Sequence, residues 1–229
     1  MSPSMPQHYD VVIFDRDGTL LEINAARSAL LSQRIQSVSP TLTDAVMMDA
    51  WAAHNTSWPA SDAEELAFWA TFWADLAPAH GLGEQQRQRL IEVVLDYPSM
   101  FVVYPDTLPT VETLAARGVR MVLFTNFDLP SVDRTLAQAG ISPTRFDLRI
   151  SPLHMGGLKK PSVAAYHTVA QRLGVAPERC LMVDDTAENC FGALEAGMGA
   201  LYIDRAGAGE VAGLTRITTL EAVIAYTEG

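Results

Sequence analysis

The run Val11-Val12-Ile13-Phe14 stops abruptly at Asp15-Arg16-Asp17-Gly18-Thr19. That junction limits the fold more than any other feature of the chain. A short, wholly apolar run has no face to offer water, so it reads as a strand buried on both faces. Such strands belong to parallel sheets covered by helices. The strand is predicted over 9–14. The acids that end it then lie beyond the carboxyl end of a strand, where open α/β sheets bind ligands.

The second half of the chain repeats one unit: a helical pattern, a glycine, a short loop, a strand. Leu108, Val111, Leu114 and Ala115 share a face of a helix over 108–117 that stops at Gly118, before a strand over 120–125. A helix over about 131–139 stops at Gly140, before a strand over 146–151. Ala165 or Tyr166, Val169, Ala170 and Leu173 mark a helix over 162–173 that stops at Gly174, before a strand over 179–184. A helix through Ala193 and Leu194 stops at Gly197, before 200–204. Glycine suits the left-handed position that closes helices. Alternating strands and helices predict the α/β class, a mostly parallel sheet with helices on its faces.

Residues 23–101 interrupt this scheme. They hold no β-branched strand runs but do hold helical spacings: Leu30, Leu31, Arg34, Ile35 and Val38, then Val46, Met47 and Trp51, then Leu66, Trp69, Phe72, Trp73 and Leu76, then Leu90, Val93 and Val94. Pro40, Pro59, Pro78 and Pro98 fall near the expected helix boundaries. Four helices in a small bundle are predicted. The segment is too long for an ordinary connection, so it is an inserted domain. The α/β domain is then 1–22 plus 102–229. The aromatic residues of the insertion are expected mostly in its own core.

With 229 residues, the chain is long enough for one large domain or two modest ones. A formal net charge of −11 excludes the basic surface that nucleic acid or an anionic membrane would require. An anionic substrate is still compatible if a cation and local donors sit in the site. Cys180 and Cys190 form no metal-binding spacing, and read as buried thiols in a reducing compartment. The first residues show no signal pattern and no run of eighteen apolar residues occurs, so a cytoplasmic protein is expected.

Four short segments carry the chemistry. Asp15 and Asp17 repel each other unless a cation or a proton intervenes, and a hard cation held by carboxylate oxygens would settle them. Thr125-Asn126 follows Met121-Val122-Leu123-Phe124. A hydroxyl and the next backbone N–H at a strand end can hold an anionic oxygen, although Thr-Asn also serves as a plain helix cap. Gly157-Leu158-Lys159-Lys160-Pro161 presents a lysine in the extended conformation that precedes proline. Leu181-Met182-Val183 ends in Asp184-Asp185-Thr186, a second apolar strand with paired acids. Two strands that deliver carboxylates to one sheet edge make a metal site the natural reading.

In this order and spacing the four segments resemble the haloacid dehalogenase superfamily of hydrolases, over nearly the whole chain. Ala193-Leu194-Glu195-Ala196-Gly197-Met198 after the second acid pair adds to the likeness. The helical insertion resembles the four-helix cap of the phosphoglycolate phosphatase and β-phosphoglucomutase type. The resemblance implies a Rossmann-like three-layer α/β/α core and a Mg2+-dependent phosphatase acting on a small phosphorylated metabolite, as a monomer or homodimer. It implies Asp15 as nucleophile and metal ligand. Asp17 would be general acid and then base, with its carbonyl on the metal. Thr125, Lys160 and the Asn126 N–H would bind the phosphoryl group, with Arg16 in the same phosphate-binding set. Lys160 fits better than Lys159 because it immediately precedes the proline. Asp185 would be a metal ligand, and Asp184 a direct or water-mediated one. Three departures stand out. Many relatives have an Asp after Asn where this chain has Asn189-Cys190, many have glycine at Asp184, and Pro161-Ser162 replaces the usual Pro-Asp.

The bundle would act as a lid hinged at 20–24 and 98–104, with Arg27, His54 and Trp58 as candidates for substrate selection. Three alternatives share these groups. A phosphomutase would return the phosphoryl group to sugar. A haloacid dehalogenase would attack carbon, but such relatives lack the second aspartate of the first segment and need no metal. A non-catalytic binding or regulatory protein would show a damaged site.

Overall fold

The computed structural model describes residues 8–54, 59, 61–127 and 132–227. The chain divides into two compact units.

The first unit comprises residues up to Glu22, Val103–Phe127 and the chain from Gly140 onward. Strand β1 (Val11–Phe14) is buried at every position, as its unbroken apolar run requires. Each such side chain taken out of water stabilises the fold by about 1.5–3 kcal/mol. Strands β4 (Arg120–Phe124) and β6 (Cys180–Asp184) flank β1, both parallel to it, so that Val12 lies opposite Met121 and Leu181. Strand β5 (Leu148–Ile150) extends the sheet beyond β4, and β7 (Gly199–Ile203) and β8 (Thr215–Ile217) extend it beyond β6. The order is β5-β4-β1-β6-β7-β8 and the recorded pairs are all parallel. The chain builds outward from β1 on one side, then crosses and builds outward on the other. That reversal makes the carboxyl end of β1 the topological switch point, where a crevice forms.

Helices α7 (Val163–Leu173) and α8 (Ala187–Glu195) cover one face of this sheet. Val11, Ile13, Val122, Phe124 and Met182 meet Tyr166, Val169 and Leu173 of α7 and Cys190 and Ala193 of α8 in one core. These strand positions alternate, as the two-residue period of a strand demands. Ala165, Tyr166, Val169, Ala170 and Leu173 are all buried, and α7 closes on Gly174 at φ 65°. Helix α5 (Thr107–Ala116) packs on β4 and on the 3-10 turn Leu220–Tyr226. Both thiols are buried and free. Burial pushes Cys180 up to about 11 and Cys190 up to about 12, so neither is a reactive thiolate near neutral pH.

The second unit runs from Ile23 to Val102 and includes α6 (Val132–Gln138). Helices α1 (Ala25–Val38), α2 (Asp44–His54), α3 (Asp62–His80) and α4 (Glu84–Val94) form the bundle. Its core holds Ile35, Leu42, Trp69, Phe72, Trp73, Leu90 and Ile91, with edge-to-face ring pairs Trp69–Phe72 at 5.4 Å and Phe72–Trp73 at 5.0 Å. Asn24 caps α1 by accepting from the Arg27 N–H, and Ser61 caps α3 by accepting from the Glu64 N–H.

Four details differ from the sequence expectation. Helix α3 runs through Pro78 to His80, because the proline sits in its last turn and Gly81, at φ 64°, supplies the stop. Leu30, expected on the buried stripe of α1, is exposed. Helix α6 clusters with the bundle rather than with the α/β unit: Arg134 on α6 is bound at 3.2 Å to Glu65, which is buried on α3. Short strands β2 (Leu21–Ile23) and β3 (Phe101–Val103) pair where the chain passes between the units, and three-residue strands are too short to leave a periodic signal. Among the described residues no helix is long and apolar enough to cross a membrane.

Candidate active site

Adjacent strands deliver the polar groups. Asp15 follows β1, Thr125 follows β4, and Asp184 ends β6; the sheet continues one step past β1, because the Asp15 N–H donates to the Val183 carbonyl at 2.9 Å. Lys160 arrives on the loop before α7. Its ammonium donates to Asp15 Oδ1 and to Asp184 Oδ2, both at 2.6 Å. Lys160 is 2% exposed, whereas Lys159 is exposed. An aliphatic stem packed in the interior and a head held between two carboxylates are what make burial of this charge tolerable. The ring of Phe124 lies beneath the ammonium at 5.4 Å.

Asn126 fastens that loop. Its side-chain amide donates to the Lys160 carbonyl, and its side-chain oxygen accepts from the Lys160 N–H, each at 2.9 Å. The sequence pattern points only to the backbone N–H of Asn126 and gives no sign of this two-point clamp. The hydroxyl oxygen of Thr125 accepts from the Phe127 N–H at 3.0 Å, and its residue is 2% exposed.

Asp184 is wholly buried and heavily bonded. It accepts from Lys160, from the Thr186 N–H at 2.9 Å, and from the Asn189 amide at 3.0 and 3.1 Å on its two oxygens. Asn189, which the sequence analysis names only as the residue before the departure at Cys190, is therefore a direct partner of Asp184. The available signal is its place in the first turn of α8, directly after the strand-end acids. Asp185 lies against Gly18: a β-carbon at position 18 would fall 1.9 Å from Asp185 Oδ2. Gly18 also has φ +74°, so both backbone conformation and space require glycine there.

Ligand oxygens of Asp15, Asp184 and Asp185 lie within 4.8 Å of one another. Burial pushes the Asp15 carboxyl up to about 7; Lys160 pulls against that shift, and the charge of Asp184 adds to it. Burial also raises Asp185, with Asp184 next in importance. Lys160 is raised: burial opposes its charge, and the two carboxylates outweigh burial. A concentration of negative charge that a single ammonium only partly offsets is a place suited to a hard cation.

Arg16, expected among the phosphate binders, is turned to a different partner. It is fully buried, its guanidinium forked onto the Asp17 carboxylate and lying 4.2 Å from the centre of the Phe127 ring. Its planar donor edge meets the neighbouring carboxylate and its flat face lies over a ring. Gly192, inside α8, is a further residue of the site that the sequence motifs do not include. A β-carbon there would lie 2.2 Å from the Pro161 carbonyl oxygen. A glycine in mid-helix is the available signal. Of the expected selectivity residues, Arg27 donates to the Ser99 and Phe101 carbonyls, and His54 bonds Asp75 at 2.9 Å and the Ala50 carbonyl at 2.8 Å. Trp58 lies outside the described residues.

Comparison with known proteins agrees with this arrangement. The family model described as haloacid dehalogenase-like hydrolase matches residues 9–197. A phosphatase of Mycobacterium tuberculosis is 32% identical over 197 residues, covering 86% of this chain and 88% of that protein. A phosphoglycolate phosphatase of Pectobacterium atrosepticum is 28% identical over 192 residues, covering 80% of this chain and 75% of the relative. The crystal structure of a HAD phosphatase from Thermococcus onnurineus superposes with a TM-score of 0.65 at 25% identity, covering 93% of this chain and 95% of the other. With an acid-lined switch point on a parallel sheet and a family match over most of its length, the chain belongs to the haloacid dehalogenase-like hydrolases, among their phosphatases.

Proposed function

We propose that this phosphatase is magnesium-dependent and cleaves a small phosphorylated metabolite through an aspartyl-phosphate on Asp15. The observation that carries the reading is the meeting of Asp15, Lys160, Asp184 and Asp185 at the carboxyl ends of β1 and β6.

The donor set suits Mg2+. Three carboxylates offer hard oxygen ligands within 4.8 Å of one another, and Gly18 leaves Asp185 the room it needs. Asp15, Asp185 and the Asp17 carbonyl would hold the ion. Asp184 would act through water, because both its oxygens already accept hydrogen bonds. When bound, the ion supplies positive charge that offsets the repulsion between nucleophile and phosphate.

The residues of the chain divide the remaining work. Lys160 holds one oxygen of Asp15, the carboxylate that attacks phosphorus. Asp17, entering the first step in its protonated form, gives that proton to the departing oxygen and, now a carboxylate, takes one from the water that opens the phosphoenzyme. The Thr125 hydroxyl, the Asn126 N–H and the Lys160 ammonium bind the phosphoryl oxygens. Such preorganised donors typically contribute about 3 kcal/mol each to transition-state stabilisation. One relative is a phosphoglycolate phosphatase, and phosphoglycolate joins sugar phosphates, nucleotides and phosphorylated amino acids or polyols as a candidate substrate.

The test is phosphate release from that panel, with Mg2+ and with chelator, with Asp15→Asn as the blank. Chelator-sensitive release by the wild type and none by the variant is expected. Release by Asp15→Asn near the wild-type rate would remove Asp15 as nucleophile.

A further inference from the structure

We propose that Arg16 is a positioning residue that fixes the Asp17 carboxylate for proton transfer to the leaving group. The inference rests on the role given to Asp17 above.

Arg16 is held at both its backbone and its side chain. Its backbone carbonyl accepts the Leu20 N–H at 3.0 Å and the Leu21 N–H at 2.9 Å, which pins the turn that carries Asp17. Its side chain is fully buried, and the guanidinium lies 4.2 Å from the centre of the Phe127 ring. From that seat Nε donates to Asp17 Oδ1 at 3.0 Å and Nη2 donates to Asp17 Oδ2 at 2.7 Å. The Asp17 side chain, by contrast, is 46% exposed. A half-exposed aspartate would ordinarily sample several rotamers. Here a buried fork bonds both of its oxygens.

A bidentate guanidinium occupies one acceptor site on each carboxylate oxygen and leaves one on each. The fork therefore sets the plane of the carboxylate without closing it to substrate. Two-point planar recognition is a property of arginine that lysine cannot reproduce. Arg16 touches neither the phosphoryl group nor the leaving oxygen in this reading. It acts through Asp17.

The function of a positioned acid is felt only where the leaving group needs a proton. An alkyl phosphate releases an alkoxide that does. p-Nitrophenyl phosphate releases a stable phenolate that does not. The parameter to compare is kcat/KM, which reports on the steps through phosphoenzyme formation and so excludes the later hydrolysis common to both substrates. The ratio of the two kcat/KM values is independent of how much of a variant is folded. Partial unfolding of a variant therefore cannot imitate the effect.

The experiment measures that ratio, with the best alkyl phosphate of the panel, for wild type, Arg16→Met, Arg16→Lys, Phe127→Leu and Asp17→Asn. A misplacement of about 1 Å costs on the order of 10²-fold in rate. Arg16→Met is expected to lose about that factor on the alkyl substrate while p-nitrophenyl phosphate falls far less, and Asp17→Asn shows the same selectivity. Arg16→Lys is expected to resemble Arg16→Met, since it keeps the charge and loses the fork. Phe127→Leu, which loosens the seat and keeps the guanidinium, should move the ratio in the same direction by a smaller factor. Equal losses on both substrates in Arg16→Met, beside a selective loss in Asp17→Asn, would overturn the proposal and leave the role of Asp17 standing. Equal losses in Asp17→Asn would remove that role and the proposal with it. A wild-type ratio in Arg16→Lys would overturn the argument from the fork.

Discussion

Gly192→Ala separates what helix propensity predicts from what the packing predicts. Alanine is favoured over glycine in a helix interior by roughly 0.8–1.0 kcal/mol, so propensity alone expects a more stable protein with unchanged chemistry. The structure expects otherwise. The new methyl carbon would lie 2.2 Å from the carbonyl oxygen of Pro161 and 3.0 Å from the Pro161 carbonyl carbon and Cβ. Roughly 1 Å of retreat is needed to reach ordinary van der Waals separation. The atoms in the way are backbone, and they follow directly on Lys160, whose own N–H and C=O are clamped by Asn126. The loop therefore cannot yield without moving the ammonium that is bonded to Asp15 at 2.6 Å. Overpacking of this kind costs about 1–3 kcal/mol, against the gain from propensity, so stability should fall by no more than about 2 kcal/mol. If Lys160 has the role proposed for it, a displacement of that size is worth on the order of 10²-fold in rate. The assay is kcat/KM on the best substrate of the panel, beside a thermal melt. A melt no more than roughly 8 °C below wild type, with a rate loss of about tenfold or more, is expected. Wild-type kcat/KM in a folded Gly192→Ala protein would refute the idea that α8 sets the position of Lys160.

Two further outcomes follow from the charges. Lys160→Met leaves the Asp15 and Asp184 carboxylates facing each other in the interior, and removal of one partner from a buried ion pair typically costs about 3–5 kcal/mol. Asp15 is already raised to about 7, so its charged form is disfavoured in the folded chain, and loss of the lysine disfavours it further. The deficit of the variant should therefore grow as pH rises through 7 and shrink below it; melts in chelator that show the same deficit at pH 5 and pH 8 would contradict this. Asp204 is held down to about 2, first by the Gly209 N–H, then by the Ala208 N–H and Arg216, with burial opposing. A depressed acid stabilises the fold above its unfolded value near 3.9 and loses that contribution as pH falls towards its folded value. Melts of wild type and Asp204→Asn should differ at pH 6 and converge towards pH 2, and a constant difference across that range would rule out Asp204 as the source.

The strands and their ends were legible in the sequence because each buried strand is a continuous apolar run closed by polar residues. Val11–Phe14 and Leu181–Val183 announce their acids in the residues themselves, and Gly174 announces the end of α7. Asp15, Asp17, Asp184 and Asp185 stand out as candidates because a charge at the end of a buried apolar strand is costly unless an opposite charge or a ligand meets it, whereas the uncharged Thr125 and the loop residue Lys160 are candidates that the family resemblance brings out. What could not be read was which donor meets which acceptor. Arg16 belongs to Asp17, Asn126 to the Lys160 backbone and Asn189 to Asp184, and residues 126 and 160 are far apart in the chain. Gly192 is an ordinary weak helix residue until Pro161 is seen beside it. The grouping of α6 with the bundle, where it packs on the turn Tyr97–Met100 and Arg134 reaches a buried Glu65 on α3, joins segments far apart in the chain. Local periodicity is a property of neighbours along the chain, and so the sequence by itself determined the longer elements, pointed to the family and proposed the reactive groups, while the three-residue strands β2, β3 and β8 left no signal in it. Hydrogen-bond partnership and close approach arise only when distant segments are brought together, and so the orientation of each reactive group was decided by the tertiary structure alone.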